Sequence, residues 1–302
     1  MKKILVLVFC IYALTGCKST PPVNPNTGPE VTVVIPELFS PDPDIANDSL
    51  TISIDVNHPA RIKDWNIQIQ RRFGGQAAQQ RQAAEGAEPR QSTEGGEQRQ
   101  RGQRGPFFEA SGTGRPPAEW KWNGISSSRA GEMVQSATDY NFVLSVTDVF
   151  DNNTVFEGII SVGILVRREG DIYRMIVPSI QFLAESSDLT QVSEEDRRAN
   201  SRVLRLIANA LGRFPDYRIT VEGHANPTAA AGSTARNNSE ARLTTLSEAR
   251  ARAVVNFLVE NHNLASNRFG VVGIGTKRTV TEEFDDDEEN WKNRRVEFIL
   301  QR

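Results

Sequence analysis

The chain has 302 residues, with 35 Lys and Arg against 38 Asp and Glu and a formal net charge of -3. A balance of that kind lacks the basic face on which nucleic-acid-binding modules depend, so nucleic acid is excluded as a partner. The length suffices for two domains of ordinary size, each with its own core.

At the start of the chain, Lys2 and Lys3 precede an apolar run over residues 4–13 that is too short to span a bilayer. Positive residues followed by a short apolar run predict a secretory signal. The run closes on Leu14, Thr15, Gly16 and Cys17, which resembles the bacterial lipobox. That resemblance implies removal of residues 1–16 and acylation of Cys17, each buried methylene adding about 0.8 kcal/mol of membrane attachment. Lys18 after the cysteine is similar to an outer-membrane address, with the protein facing the periplasm. Cys10, the other cysteine, falls in the segment to be removed, so the mature chain is expected to hold no disulfide. Prolines with Ser, Thr and Asn then make residues 17–30 a flexible tether.

Alternation with period two begins next. Leu50, Ile52, Ile54 and Val56 alternate with Thr51, Ser53 and Asp55, and Trp65, Ile67 and Ile69 repeat the pattern. Residues 74–105 are mostly Gln, Gly, Ala, Glu and Arg, with nothing aliphatic larger than Ala, and are read as a disordered insertion of nearly balanced charge. Strand texture resumes at Tyr140, Phe142, Leu144 and Val146, followed by an Asp151-Asn152-Asn153 turn. Short strands without a helical period predict an all-β antiparallel sandwich over residues 31–168. Trp122-Asn123-Gly124, Gly131-Glu132-Met133-Val134, Thr138-Asp139-Tyr140 and Thr147-Asp148, in series, resemble the immunoglobulin-like module of the flagellar hook-cap family. A fold of that kind carries no function by itself.

From 169 to 302 strands and helices alternate, beginning with a strand over 172–182. Val203, Leu204, Ile207 and Leu211 share one helical face, a strand follows over 218–222, and a second helix is expected after Thr245, where Thr245 and Glu248 have capping-box spacing. Strands over 269–272 and 295–300 complete an α/β domain with helices packed on a mixed sheet.

In this part Glu222-Gly223-His224, Leu246-Ser247 with Arg250-Ala251, Gly273 with Gly275, and Asn293-Arg294-Arg295-Val296-Glu297 stand in one order. Together they resemble the OmpA-like peptidoglycan-binding domain. The resemblance implies a site for the diaminopimelate side chain of the peptidoglycan peptide stem, whose end carries an ammonium and a carboxylate. Arg250 matches the family's arginine for the carboxylate, a role suited to a planar guanidinium fork. His224, Asn293 and Arg294 fall on the other motif positions. Where the family's Gly-His-Thr-Asp motif ends in the aspartate for the ammonium, this chain reads Gly223-His224-Ala225-Asn226, so Asn226 offers an amide oxygen without charge. Leu183 stands where many members have an acid and Leu243 where an asparagine is common, and the 226–246 stretch is longer than usual, its extra residues either supplying a replacement acceptor such as Glu240 or covering the site.

No His or Cys pair has metal-ligand spacing, and no nucleophile with its base can be read, so no metal, cofactor or catalysis is expected. His224 is expected to pack, the acidic run over 285–289 to be a solvated loop, and Gly273-Ile274-Gly275 to form a turn between strands. The expected function is a lipid-anchored outer-membrane tether gripping the wall without covalent bonds. The alternative is an envelope assembly or adhesion protein whose sandwich binds a protein partner while the α/β domain is a scaffold that has lost its ligand.

Overall fold

The computed structural model describes residues 24–41, 48–72, 105–282 and 290–302. The expected signal segment, Cys17, most of the tether, the 74–105 insertion apart from Gly105, and the 285–289 run lie outside these residues.

Alternation does what the pleat requires. Strands β1 (Glu30–Val34), β2 (Leu50–Asn57) and β5 (Glu119–Trp122) form one antiparallel sheet in the order β1-β2-β5. Strands β3 (Ile62–Arg71), β4 (Phe108–Thr113), β6 (Asp139–Asp148) and β7 (Asn153–Ser161) form a second, in the order β4-β3-β6-β7. Side chains alternate across a strand, so Ile52 and Ile54 of the first sheet and Ile67, Ile69, Phe142 and Leu144 of the second are turned into one buried cluster. Rings bridge the sheets: Trp120 lies 6.1 Å from Phe142 and Trp122 lies 6.4 Å from Tyr140, between centroids. The β6–β7 turn is set by Asp148, whose Oδ1 accepts from the amides of Phe150 (2.8 Å) and Asn152 (3.0 Å).

Five strands make the other sheet: β8 (Val166–Glu169), β9 (Ile172–Val177), β10 (Arg218–His224), β11 (Phe269–Gly275) and β12 (Val296–Gln301), ordered β11-β10-β12-β9-β8. Only the β10–β11 pair is parallel, and the intervening helix α2 (Thr234–His262) supplies its crossover. Helix α1 (Glu194–Gly212) is capped by Ser193, whose hydroxyl accepts from the amide of Asp196, and has Glu194, Glu195 and Asp196 against its positive end. Val203, Leu204, Ile207 and Leu211 of α1 are buried in one cluster with Val221, Phe298, Val254 and Leu258.

The structure departs from the sequence expectations in four places. The β8–β9 hairpin, turning at Gly170 (φ 61), begins at Val166, so the α/β unit starts before residue 169. Strand β9 ends at Val177 rather than 182, because Pro178 has no amide to continue the ladder. Helix α2 begins at Thr234, not after Thr245: Ser233 caps it by accepting from Arg236, so the added stretch winds into about three extra turns. Leu243, in those turns, is buried at 4% exposure. Finally, Gly273 lies within β11 and Gly275 at its end. A Cβ on Gly273 would meet the Thr244 carbonyl at 2.3 Å, so these glycines let α2 rest on the sheet rather than form a turn.

Candidate functional site

Arg250 projects from α2, one turn after the buried Ser247, toward the segment that follows β9. Its Nε donates to the Ser186 carbonyl at 2.9 Å and one Nη to the Leu183 carbonyl at 3.0 Å, while the Phe182 ring centroid lies 5.1 Å from Cζ. Two carbonyls and an aromatic face hold the guanidinium plane without neutralising its charge. A guanidinium has five N–H groups, so the end-on pair on its two terminal nitrogens can still receive a carboxylate. Burial lowers its pKa to about 10, with Arg294 pushing the same way and Glu185 opposing. It therefore stays cationic at neutral pH, and an anion would relieve the cost of its burial.

Arg250 opens on a cavity of about 470 Å³ that His224, Arg294 and Arg295 also line. Asn226 and Asn293 form a separate pair beside it: the Asn293 amide nitrogen donates to Asn226 Oδ1 at 3.1 Å, and Asn293 Oδ1 accepts from Val280 (2.7 Å) and Thr281 (3.2 Å). Asn293 thus ties the β12 approach to the loop after β11. Glu240 does not supply the missing carboxylate. Its oxygens accept from Thr244 Oγ1 at 3.1 Å and from both the amide (3.3 Å) and the hydroxyl of Thr276, which pins the extended helix to the end of β11. Leu183, 39% exposed as a residue, contributes its carbonyl to Arg250.

His224 is 3% exposed, with Nε2 at 3.6 Å from Glu222 and 3.5 Å from Glu297. These three side chains have the donor set and closeness of a metal site, all ligand atoms lying within 4.8 Å. Sequence spacing gives no sign of it, because Glu297 arrives from β12. The charges argue for an ion-pair network instead: Arg278 lies 2.7 Å from Glu222, and Arg295 and Arg174 each lie 2.7 Å from Glu297. A dication would have to displace guanidinium groups already neutralising both carboxylates.

Burial, aided by Arg295 and opposed by Glu297, lowers the His224 pKa to about 4. In the unfolded chain a histidine titrates near 6.5, so between these values the unfolded state binds the extra proton and folding loses stability as pH falls. The full difference is about 3 kcal/mol. His224→Gln is expected to show a smaller drop in melting temperature between pH 7 and pH 4.5 than the unaltered chain; an equal drop would mean that His224 is not the group being titrated.

Sequence reasoning missed part of the cavity wall. Arg71 and Arg72 at the end of β3, and Asp139 at the start of β6, line it together with Trp291. The Arg71 guanidinium carbon lies 3.4 Å from the Trp291 ring centroid. No local pattern marks two arginines at a strand end as lining a site whose other residues lie far along the chain.

Residues 181–294 match a family model described as OmpA family. No curated protein matches. Solved structures similar to this chain include a putative MotB like protein from Desulfovibrio vulgaris, at 22% identity and TM-score 0.35, covering 46% of this chain and 82% of that one. Another is the cell wall anchor of the T6SS from Pseudomonas aeruginosa, at 25% identity and TM-score 0.34, covering 46% and 87%. An outer membrane protein from Borrelia burgdorferi B31 is similar at 22% identity and TM-score 0.30, covering 46% and 97%.

Proposed function

Residues 181–294 being an OmpA-family domain, we propose that this chain is an outer-membrane lipoprotein that tethers the membrane to peptidoglycan by holding the peptide stem around Arg250. The observation that carries the reading is the state of Arg250: cationic, held in place by neutral carbonyls, and open to the cavity through its terminal nitrogens. Recognition of a stem carboxylate there would be charge-assisted and pre-organised, and binding rather than turnover is the output. Arg294 adds a second positive charge on the cavity rim, and His224 and Asn293 shape the site from behind.

In this reading residues 1–16 are removed, Cys17 carries the acyl chains, and the tether that follows it spans the gap to the folded part, on which Pro25 and Pro29 already rest through their carbonyls. The two sheets that precede Val166 form an immunoglobulin-like sandwich serving as spacer or as the face for a protein partner, and the α/β unit grips the wall in the periplasm. Replacing Cys17 by Ser is expected to move the protein from the membrane fraction to the soluble periplasmic fraction; retention in the membrane would contradict lipid anchoring.

Asn226 is the weak point of the site for a zwitterionic ligand. Aspartate has the same shape, and its oxygen can still accept from Asn293, so Asn226→Asp places a charge where the family carries one. A hydrogen bond gaining a charge in this way adds about 1.4 kcal/mol, so binding to a stem peptide ending in diaminopimelate should tighten about ten-fold by calorimetry. Unchanged or weaker binding would show that the ammonium is not received at this position.

A further inference from the structure

The two sheets that precede Val166, the first unit, meet the α/β unit over a buried seam. Ala137, from the segment leading into β6, is buried in the core cluster of the α/β unit. Asp139 accepts from one Arg202 nitrogen of α1 through both its oxygens, each at 2.8 Å, and the Ser179 hydroxyl donates to the Ser136 carbonyl at 3.3 Å. Close-packed contacts transmit displacement, so a residue of the first unit can set the place of a residue in the second.

A single 3-10 turn, Trp291–Asn293, sits on this seam, and its residues have different seats. The Trp291 ring, 8% exposed as a residue, has its centroid 3.4 Å from the Arg71 guanidinium carbon at the end of β3. Lys292 Nζ lies 2.8 Å from Glu132 Oε1, with the two side chains only 12% and 16% exposed. Asn293 is fully buried and reaches into the α/β unit instead, donating to Asn226 Oδ1 at 3.1 Å and to the Thr281 carbonyl at 2.9 Å. Arg294 closes the turn, its amide donating to the Trp291 carbonyl at 3.1 Å, and lines the cavity. Glu132 itself is firmly mounted. Its amide donates to the Arg129 carbonyl at 3.1 Å, its carbonyl accepts from the Ser126 amide at 2.8 Å, and its Oε2 lies 3.4 Å from Arg129, which leaves Oε1 facing Lys292. Glu132 and Arg71 both fall outside the residues 181–294 that match the family.

Resting on the wall-binding reading, we infer that the first unit is a working part of the wall site. Glu132, through Lys292, and Arg71, through Trp291, are positioning residues that hold Asn293 and Arg294 where the stem is received. A turn seated in this way loses little freedom when ligand binds, so affinity depends on the seat as well as on the groups that touch the stem. Glu132 does not line the cavity, so any effect of its removal on affinity has to pass through the turn.

The test titrates the full chain with a muramyl tripeptide ending in diaminopimelate. Glu132→Ala is expected to weaken binding about five-fold, the size typical of a residue that acts through a packed network. Glu132→Gln, whose amide oxygen can still accept from Lys292, should recover part of that loss, and Trp291→Phe, which keeps a ring against Arg71, should bind nearly as the unaltered protein does. Lys292→Met should also weaken binding, and the Glu132→Ala/Lys292→Met double variant should bind no more weakly than Lys292→Met alone, because both changes break one contact. Equal affinity of Glu132→Ala and the unaltered protein, with or without a lower melting temperature, overturns the inference and leaves wall binding intact. Losses that add in the double variant overturn it as well. Absence of binding by the unaltered protein overturns both.

Discussion

Arg250→Ala is expected to weaken binding of a diaminopimelate-containing stem peptide by about a hundred-fold or more, because it removes a buried, positioned cation from a charge-assisted contact. Truncating one member of such a pair costs about 2–5 kcal/mol, and a hundred-fold is about 3 kcal/mol. The Leu183 and Ser186 carbonyls that now accept from Arg250 lose those bonds in the variant, yet they belong to a partly exposed segment that water can reach. Melting temperature should therefore fall much less than affinity. Arg250→Lys separates charge from geometry: a lysine keeps the cation but not the fork, and an intermediate loss of about ten-fold is expected. Calorimetry on the three proteins decides the point, and equal affinity of all three would remove Arg250 from the site.

The second large effect concerns stability. Gly223→Ala places a Cβ 1.9 Å from the Ser247 carbonyl oxygen and 2.6 Å from its carbon, both backbone atoms of α2 that cannot rotate away. Either β10 or the helix must shift, and the helix carries Arg250 within one turn of the clash. Overpacking usually costs about 1–3 kcal/mol and more where backbone must move, so about 3 kcal/mol is expected. That corresponds to a fall in melting temperature of roughly 6–12 °C. Gly270→Ala is the control: Gly270 lies in the neighbouring strand β11, and nothing lies within 4 Å of the added atom. Its melting temperature should stay within about 3 °C of the parent. Similar melting of the two variants would mean that α2 does not rest on the sheet in the way described.

Much of the architecture was legible where burial imposes a period. Ile52 and Ile54, Ile67 and Ile69, Phe142 and Leu144, and the α1 face from Val203 to Leu211 all point inward as their spacing implies. Order of motifs identified the α/β unit, and Arg250, His224 and Arg294 come together on one cavity. What stayed hidden depends on contacts between distant segments. The early start of α2 turns on Ser233 and on Glu240 reaching Thr276, which outweigh the weak helix preference of Asn237, Asn238 and Thr244. Val166 joins the α/β sheet although it ends an apolar run whose Ile160, Val162 and Leu165 pack in the first unit, because its pairing is decided by the Gly170 hairpin. Arg71 reaches the site only through the packing of Trp291, and Glu297 reaches His224 only through strand pairing.

The most direct measurement of the central claim is sedimentation of the purified chain with isolated sacculi at low salt, compared with Arg250→Ala. Saturable recovery in the pellet, lost in the variant and competed by free stem peptide, is the expected result. Recovery of all the protein in the supernatant would contradict the proposal that this chain holds the wall.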